Sequence, residues 1–490
     1  MRAKFSSAVG TARIPAWMNQ AIVLHQWGDL AGAEALYRQV LHLAPRHFDA
    51  LHMMGALALQ RQQPAQALPW LRRALMVREN DDALHFHLAL ALSAQAQWPQ
   101  ALTHIQRSLA LQHTSAASWD QQAKILQALG RDEEALLSIA RAQTLDPQNA
   151  DLPYHEACMR ADRLDYVQAL VAIDRAITLR PDFANARWNR AFWLLLLGRY
   201  AEAWDDYEWR WQADLKLNHV QTSKPRWDGH TSLQGKTLFL HGEQGLGDTL
   251  QFCRYVPLLI EAGAKVVMGV QPALEELLDT LPGGPHVLRV GETIPPFDAI
   301  CHIMSLGRVM GTTLESIPAQ VPYLRANPAK RAIWRERLGP RTRPRWGLAW
   351  SGNPTHANDH QRSMALAEVL PHLRPDIEWI SMQPVVRERD QAHLAQSPIR
   401  PLGAQLQNFD DTAALCAELD GVISVDTSVA HLAGALGKPL KVLVPRHTDW
   451  RWLLGRQDSP WYPSATLYRM GDDGDWTPVL RQVMAQLPAA

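Results

Sequence analysis

The sequence holds 490 residues, about three domains' worth of chain, with 47% apolar and 20% charged residues. Lys+Arg and Asp+Glu both total 49, so the formal net charge is zero. That balance excludes a chain built mainly to coat nucleic acid or an anionic membrane, yet leaves room for a local basic site. Four cysteines (Cys158, Cys253, Cys301, Cys416) stand far apart with no CxxC pair, which excludes a disulfide scaffold or a Cys-rich zinc site and fits a reducing, cytoplasmic compartment. The opening MRAKFSSAVGTARIP is basic but lacks an apolar core, so it does not read as a secretory signal. The most apolar stretch, Phe192 to Leu197, is too short to span a bilayer. Nineteen tryptophans are many, and a large share falls in two clusters.

The first two hundred residues repeat. Stepping 34 residues from Ala33 reaches Ala67, Ala101, Ala135, Ala169 and Ala203. Four residues after each stands a large apolar side chain: Tyr37, Leu71, Ile105, Ile139, Ile173 and Tyr207. Pro45, Pro147 and Pro181 share another position of the frame, Gly28, Gly130 and Gly198 a second, and Trp17 and Trp119 a third. Glu79 and His113 replace proline in two units. A 34-residue period with these residue types resembles the tetratricopeptide repeat (TPR). Each unit then consists of two antiparallel helices, with the alanine at their close approach, the bulky residue between units, the glycine in the turn and the proline closing the second helix. Such units cannot bury their faces singly, so about six stack over 1–210 into an all-α superhelix with a concave groove. The groove suits docking of a peptide or protein; a spacer or dimerisation arm is the plainer alternative.

The period stops after Tyr207. The Trp-rich segment up to Gln234 reads as a linker (211–235), with Trp209, Trp211 and Trp227 as buried anchors. From Gly235 the texture alternates. Strands are expected at Lys236–His241, Lys265–Val270, His286–Val290 and Phe297–Ile303, with helices from Asp248 through Ala262 and over Gln271–Leu281. The pattern restarts after the Pro-broken stretch Gly339–Pro344. Strands are expected at Arg345–Trp350, Ile377–Met382, Gly421–Val425 and Leu440–Val444, and helices at Met364–Leu373, Asp411–Leu419 and Ser428–Leu436. Alternating strands and helices predict parallel doubly wound sheets, here two Rossmann-like lobes (236–340 and 341–490) with a cleft beyond the strand ends.

Four loops fall at those ends. Gly242–Asp248 is neither a Walker A loop nor a dinucleotide fingerprint, because no Lys-Ser/Thr follows and Leu250 replaces the third glycine. It offers Asp248 at a helix start, where a plain N-cap is the competing reading. Ser351–Ser363 is long and polar, with Gly352, Asn353 and Arg362 suited to a phosphate. In the third loop Asp426 ends a strand, and Thr427 and Ser428 open a helix; His431, one turn in, would more often be a satisfied core histidine. In the fourth, Arg446 could meet a pyrophosphate; Trp450, Trp452 and Trp461 could stack on a base or a sugar, but most of them read as packing of the closing C-terminal segment.

The combination of GLGD, SVDTSVAHLAGALGKP, WSGNPTHANDHQRS and DWRW, following a TPR array and YEWRW, resembles the heptosyltransferase-like glycosyltransferases of family 9. It is similar to bacterial TPR-containing members, some of them assigned to flagellin modification. The resemblance implies a GT-B fold, with the acceptor on the first lobe (His241, Glu243, Gln244, Gly245, Gly247) and the nucleotide sugar mainly on the second. Asp248 matches the GxGD aspartate, the candidate general base, and Asp426, Thr427, Ser428 and His431 match the D-[ST]-x-x-x-H donor segment. The family's donor-phosphate lysine has no match, so Arg362 takes its place, with Ser351, Gly352, Asn353 and Arg446 as further donor-side candidates.

The implied reaction is inverting transfer of a sugar to Ser or Thr of a protein acceptor, flagellin being one candidate, with no metal and no cofactor beyond the nucleotide-sugar co-substrate. The acidic run Gly471–Asp475 reads as a turn rather than a metal-binding DxD. Nucleic-acid binding is not expected, because no basic cluster carries interleaved aromatics. Self-association into a homo-oligomer stays open. The rivals are a polysaccharide or lipopolysaccharide glycosyltransferase tethered by its repeats, and a non-catalytic TPR adaptor with a degenerate enzyme half.

Overall fold

The computed structural model describes residues 12–215, 217–356 and 358–488. The first eleven residues of the basic opening stretch and Ala357 of the polar loop lie outside them. The fold is an N-terminal helical TPR array followed by an α/β region with parallel sheets. The chain parts into two compact units, Met1–Ala186 and Arg187–Ala490. This division falls inside the first helix of the sixth repeat, ahead of the point where the 34-residue pattern ends.

Among the described residues the array has twelve helices: α1 (Ile14–Gln26), α2 (Leu30–Leu43), α3 (Phe48–Gln60), α4 (Pro64–Leu75), α5 (Asp82–Ser93), α6 (Trp98–Leu111), α7 (Ala116–Ala128), α8 (Asp132–Leu145), α9 (Asp151–Asp162), α10 (Tyr166–Leu179), α11 (Ala184–Leu196) and α12 (Tyr200–Tyr207). The six framed alanines are fully buried, as are the six bulky residues one turn later. Side chains four apart share a helix face, so the pair fixes which face turns inward. The turn between the two helices of each unit needs a left-handed residue. Gly28, Gly130 and Gly198 supply it with φ of +85°, +71° and +77°. In the other three units the same position holds Gln62, Ala96 and Leu164, at φ of +58°, +54° and +64°, where a Cβ crowds the following carbonyl.

Two histidine pairs sit in the second and third repeats. His52 Nε2 lies 2.7 Å from His87 Nδ1, and His85 Nδ1 2.9 Å from His104 Nδ1. Burial lowers the pKa of His52 and His104, and takes that of His87 to about 4, with the neighbouring His52 adding to the effect.

The second unit carries two parallel sheets. The first joins β1 (Thr237–His241), β2 (Lys265–Gly269), β3 (His286–Val287) and β4 (Ala299–His302) in the order β3-β2-β1-β4. The second joins β5 (Arg345–Ala349), β6 (Glu378–Ser381), β7 (Gly421–Val425), β8 (Leu440–Val444) and β9 (Ala465–Arg469) in the order β6-β5-β7-β8-β9. Each is built of apolar strands, as expected where helices cover both faces. The expected strands are present, and β9 is an additional one at the edge. The expected helix over Gln271–Leu281 is broken: Pro272–Leu274 forms a 3-10 turn and only Glu275–Leu278 is α-helical. The helix expected at Asp411 starts at Phe409, because the Asn408 side chain accepts from the Asp411 N–H and caps it. Helices at Pro328–Leu338, Glu388–Ala395 and Thr477–Ala485 were not anticipated. No described helix is long and apolar enough to cross a membrane.

Within this second unit, α12 packs against the α/β part. Trp204 Nε1 donates to the Thr312 carbonyl (2.7 Å), and Trp461 Nε1 donates to the Tyr200 hydroxyl (3.0 Å). Trp450, Trp452 and Trp461 are buried, so their packing role holds. Trp209, Trp211 and Trp227 are only half-buried, because the segment that carries them runs along the surface. Trp211 packs against His302 with tilted rings whose centroids are 4.3 Å apart.

Two stability measurements follow from the array. Ala96→Gly relieves the left-handed turn at an exposed site, and raises stability by about 0.5–1 kcal/mol by urea unfolding. Acid has the opposite effect: folded-state histidine pKa values below the ordinary 6.5 mean that the unfolded chain binds protons first. Stability of residues 48–104 is therefore lost as pH falls from about 6.5 towards 4. Hydrogen exchange should show this, and His87→Asn should flatten the dependence.

Candidate functional site

The second unit has a cavity of about 370 Å³ where the carboxyl ends of the two sheets meet. Its first wall comes from the turn after β1. Gly245 precedes a short helix, α13 (Leu246–Phe252), and Asp248 sits in the helix's first turn. Asp248 is not the N-cap; its Oδ2 reaches back to accept the Gly245 N–H at 2.7 Å. The opposite wall comes from the turn after β7, where Asp426 is followed by Thr427. The helix before β7 is α14 (Phe409–Ala417) and the one after it α15 (Ser428–Ala435), which the Thr427 hydroxyl caps by accepting from the Val429 N–H at 3.3 Å.

The two helix starts meet through a glycine. A Cβ on Gly247 would lie 2.7 Å from His431 Cδ2 and 3.6 Å from Ser428 Cα. The glycine serves close approach between the GLGD and DTSVAH segments rather than a phosphate cradle. His431 cannot yield: its Nδ1 is 2.9 Å from the Tyr462 hydroxyl, and its ring stacks on Trp452 at 5.4 Å. Burial holds its pKa well below the ordinary value, helped by the charge of Arg451. It is the hydrogen-bonded, neutral histidine that its apolar setting suggested, with one edge on the cavity.

Arg362 lies under the third side. Its Nη1 donates to the Asp426 carbonyl at 2.8 Å, and a Cβ on Gly352 would meet its guanidinium at 2.8 Å. Gly352 thus makes room for Arg362 instead of lining the cavity. Asn353 lines it, with its Oδ1 accepting from Thr355. Enclosure within the cleft raises the Asp426 carboxyl to about 6, and the charge of Asp449 adds to this.

The cavity gathers Gln244, Gly245, Gly247, Asp248, Asn353, Arg362, Asp426, Thr427, Ser428 and His431 from the expected set. Besides Gly352, four other expected residues lie elsewhere. Ser351 is buried and accepts from Gln383 Nε2 at 2.7 Å. Arg446 is exposed and faces Asp472 at 3.5 Å. His241 pairs with His302 through ring nitrogens 3.3 Å apart, and burial lowers both pKa values, that of His302 to about 3.

Glu243, the fourth, accepts from Arg210 Nη2 at 3.0 Å, and both side chains are fully buried. Arg210 also donates to Glu208 Oε1 (2.6 Å) and Ser305 Oγ (2.7 Å). Burial alone would lower the Arg210 pKa, but the charges of Glu208 and Glu243 outweigh it and keep the guanidinium protonated. YEWRW and HGE are therefore two halves of one buried ion pair.

Sequence reasoning missed Gln271, His356, Asp449 and Arg451, which also line the cavity. The signal for Arg451 is in DWRW, where a charged residue stands between two buried tryptophans. Among the described residues no group of three or more His, Cys, Asp or Glu is gathered to hold a metal.

Comparison with known proteins agrees with the array. The tetratricopeptide repeat profile matches residues 14–47 and 116–149. The chain carries a TPR array. Protein FlbA of the bacterium Caulobacter vibrioides is 28% identical over 505 aligned positions, covering 96% of this chain and 84% of FlbA. Among solved structures, YrrB, described as a TPR protein with an unusual peptide-binding site, is 26% identical with a TM-score of 0.31, over 35% of this chain and 88% of YrrB. TTC0263, a thermophilic TPR protein of Thermus thermophilus, is 18% identical with a TM-score of 0.33, over 37% of this chain and 99% of its own.

The Gly247–His431 contact yields a direct check. Gly247→Ala places a methyl against a ring that Tyr462 and Trp452 hold, so it should cost about 1–3 kcal/mol in urea unfolding. Adding His431→Ala should recover part of that loss.

Proposed function

We propose that the chain is a metal-independent inverting glycosyltransferase. It moves a sugar from a nucleotide sugar to a Ser or Thr hydroxyl of a protein acceptor docked on the TPR array, in the cytoplasm, with flagellin as a candidate acceptor. One observation carries this reading: a carboxylate at the start of α13 and the Asp426-Thr427-Ser428 turn with Arg362 share a single cavity. The family resemblance of those same segments gives them their roles, and the relationship to FlbA over both halves of the chain supports their acting together.

In the reaction the acceptor oxygen attacks the anomeric carbon from the face opposite the nucleotide. The new C–O bond forms as the bond to the phosphate oxygen breaks, and the leaving nucleotide keeps the electron pair. The hydroxyl proton passes to Asp248, whose carboxylate lines the cavity. Charge that develops on the phosphate is met by the guanidinium of Arg362 and by the positive end of the α15 dipole. Asp426, beside that turn, accepts from donor hydroxyls.

The test uses the full chain with lysate of a strain lacking it, which supplies acceptor and nucleotide sugars. Mass added to protein is followed by mass spectrometry. Asp248→Asn should slow the addition about 10²–10⁴-fold, while nucleotide sugars still raise its melting temperature. Asp426→Ala should diminish that thermal response. Full transfer by Asp248→Asn would remove the base assignment, and no added mass on any protein with the unaltered chain would refute protein glycosylation.

A further inference from the structure

Arg451 holds no role in any motif, yet it is the most heavily bonded cation of the cleft. It is 7% exposed. Each guanidinium nitrogen ends on a different side chain: Nε donates to Gln251 Oε1 at 2.6 Å, Nη1 to Asp449 Oδ1 at 2.9 Å, and Nη2 to Asp248 Oδ1. The guanidinium carbon also lies 4.4 Å from the centre of the Trp450 ring. Asp248 and Gln251 are three residues apart on α13 and so share a face. The fork grips that face from the other lobe, while Asp449 steadies it from its own segment.

The consequence falls on Asp248. Its Oδ2 is taken by the Gly245 N–H and its Oδ1 by Arg451. An ionised carboxylate has about four lone-pair sites, two on each oxygen. One site on each oxygen is therefore filled from fixed directions, which stops rotation of the carboxylate. The two remaining sites keep a constant bearing on the cavity. Arginine suits this task, because its planar fork sets three donors in a rigid geometry that an ammonium lacks.

We infer that Arg451 is a positioning residue for Asp248: it fixes the rotation of the carboxylate and so the direction from which the acceptor hydroxyl's proton is taken. This rests on the reading of Asp248 as the base. Arg451 itself takes no proton and forms no bond to substrate in this role; the proton moves from the acceptor oxygen to Asp248.

The test is a double-mutant cycle in the lysate transfer assay, with initial rates read by mass spectrometry. Arg451→Ala should slow transfer about 100-fold and Arg451→Lys about 10-fold. Thermal response to nucleotide sugars should be retained in both, which also reports a folded chain. In the Asp248→Asn background, Arg451→Ala should slow the residual rate by less than about threefold, since its effect runs through the missing carboxylate. Added guanidinium ion should restore part of the Arg451→Ala rate and none of the Asp248→Asn rate. A merely structural role predicts multiplicative losses and no rescue, and either result overturns the inference, as does an Arg451→Ala rate within threefold of the unaltered chain. Asp449→Asn, which loosens the fork without removing it, gives an intermediate loss if the inference holds and none if it fails. If Asp248→Asn itself transfers at full rate, the base assignment falls and takes this role with it. If Asp248→Asn is inactive and Arg451→Ala is not, only the role of Arg451 falls.

Discussion

The helix after β1 and the helix after β7 start against each other, and the cavity exists because of how near they come. At Gly247 the space left for a side chain is smaller than a methyl group, since His431 stands where a Cβ would need room. His431 is in turn fixed by a hydroxyl and an indole, so the separation of the two segments is set by packing against a held ring rather than against a freely rotating side chain. Everything else at the site is measured from that contact. Asp248 lies one residue beyond the glycine, and Ser428 lies three before the histidine. The approach therefore places a carboxylate from one sheet beside a helix start from the other, which neither sheet could supply alone.

A second constraint joins the sixth repeat to the first sheet. Arg210 and Glu243 are both fully buried. An unpaired charge there would carry a desolvation penalty of several kcal/mol, so each is tolerable only with the other in place. Glu208 and Ser305 add hydrogen bonds to the two terminal nitrogens of the guanidinium. The pair lies inside the second compact unit, which begins within α11. The pattern counts residues along the chain, whereas the packing follows Tyr200, Trp204 and Arg210 into the α/β half.

The legible parts of the molecule were those written in local periodicity. Alanines 34 residues apart must recur on one helix face, and apolar strands before polar loops must lead to a shared edge, so the array, the parallel sheets and most of the cleft could be read directly. Side chains whose meaning depends on a distant partner could not. The family resemblance of the HGEQGLGD segment puts Glu243 on the acceptor side, but its partner lies 33 residues earlier in the chain. Gly352 looked like a phosphate-loop glycine, and only the position of Arg362 shows that it clears space for a guanidinium. Arg446 stands at a strand end, where a phosphate ligand belongs, yet the backbone turn after it points Arg451 into the cleft instead. Strand-end position selects a loop, not the residue within the loop that turns inward.

The zero net charge conceals how the cleft spends its charges. Asp248, Asp426 and Asp449 face Arg362 and Arg451 around one cavity. Arg451 is already shared by two of the carboxylates, and its three nitrogens are all engaged. Arg362 is committed differently: one nitrogen donates to a backbone carbonyl, and its nearest carboxylate contact, to Asp359, is 3.7 Å. A hydrogen bond to a neutral carbonyl leaves more of the positive charge available than a pair of carboxylates does. The two arginines thus divide the work by their partners. Arg451 is held by two carboxylates, while Arg362, beside the start of α15, is the cation that the proposed function assigns to the incoming anion.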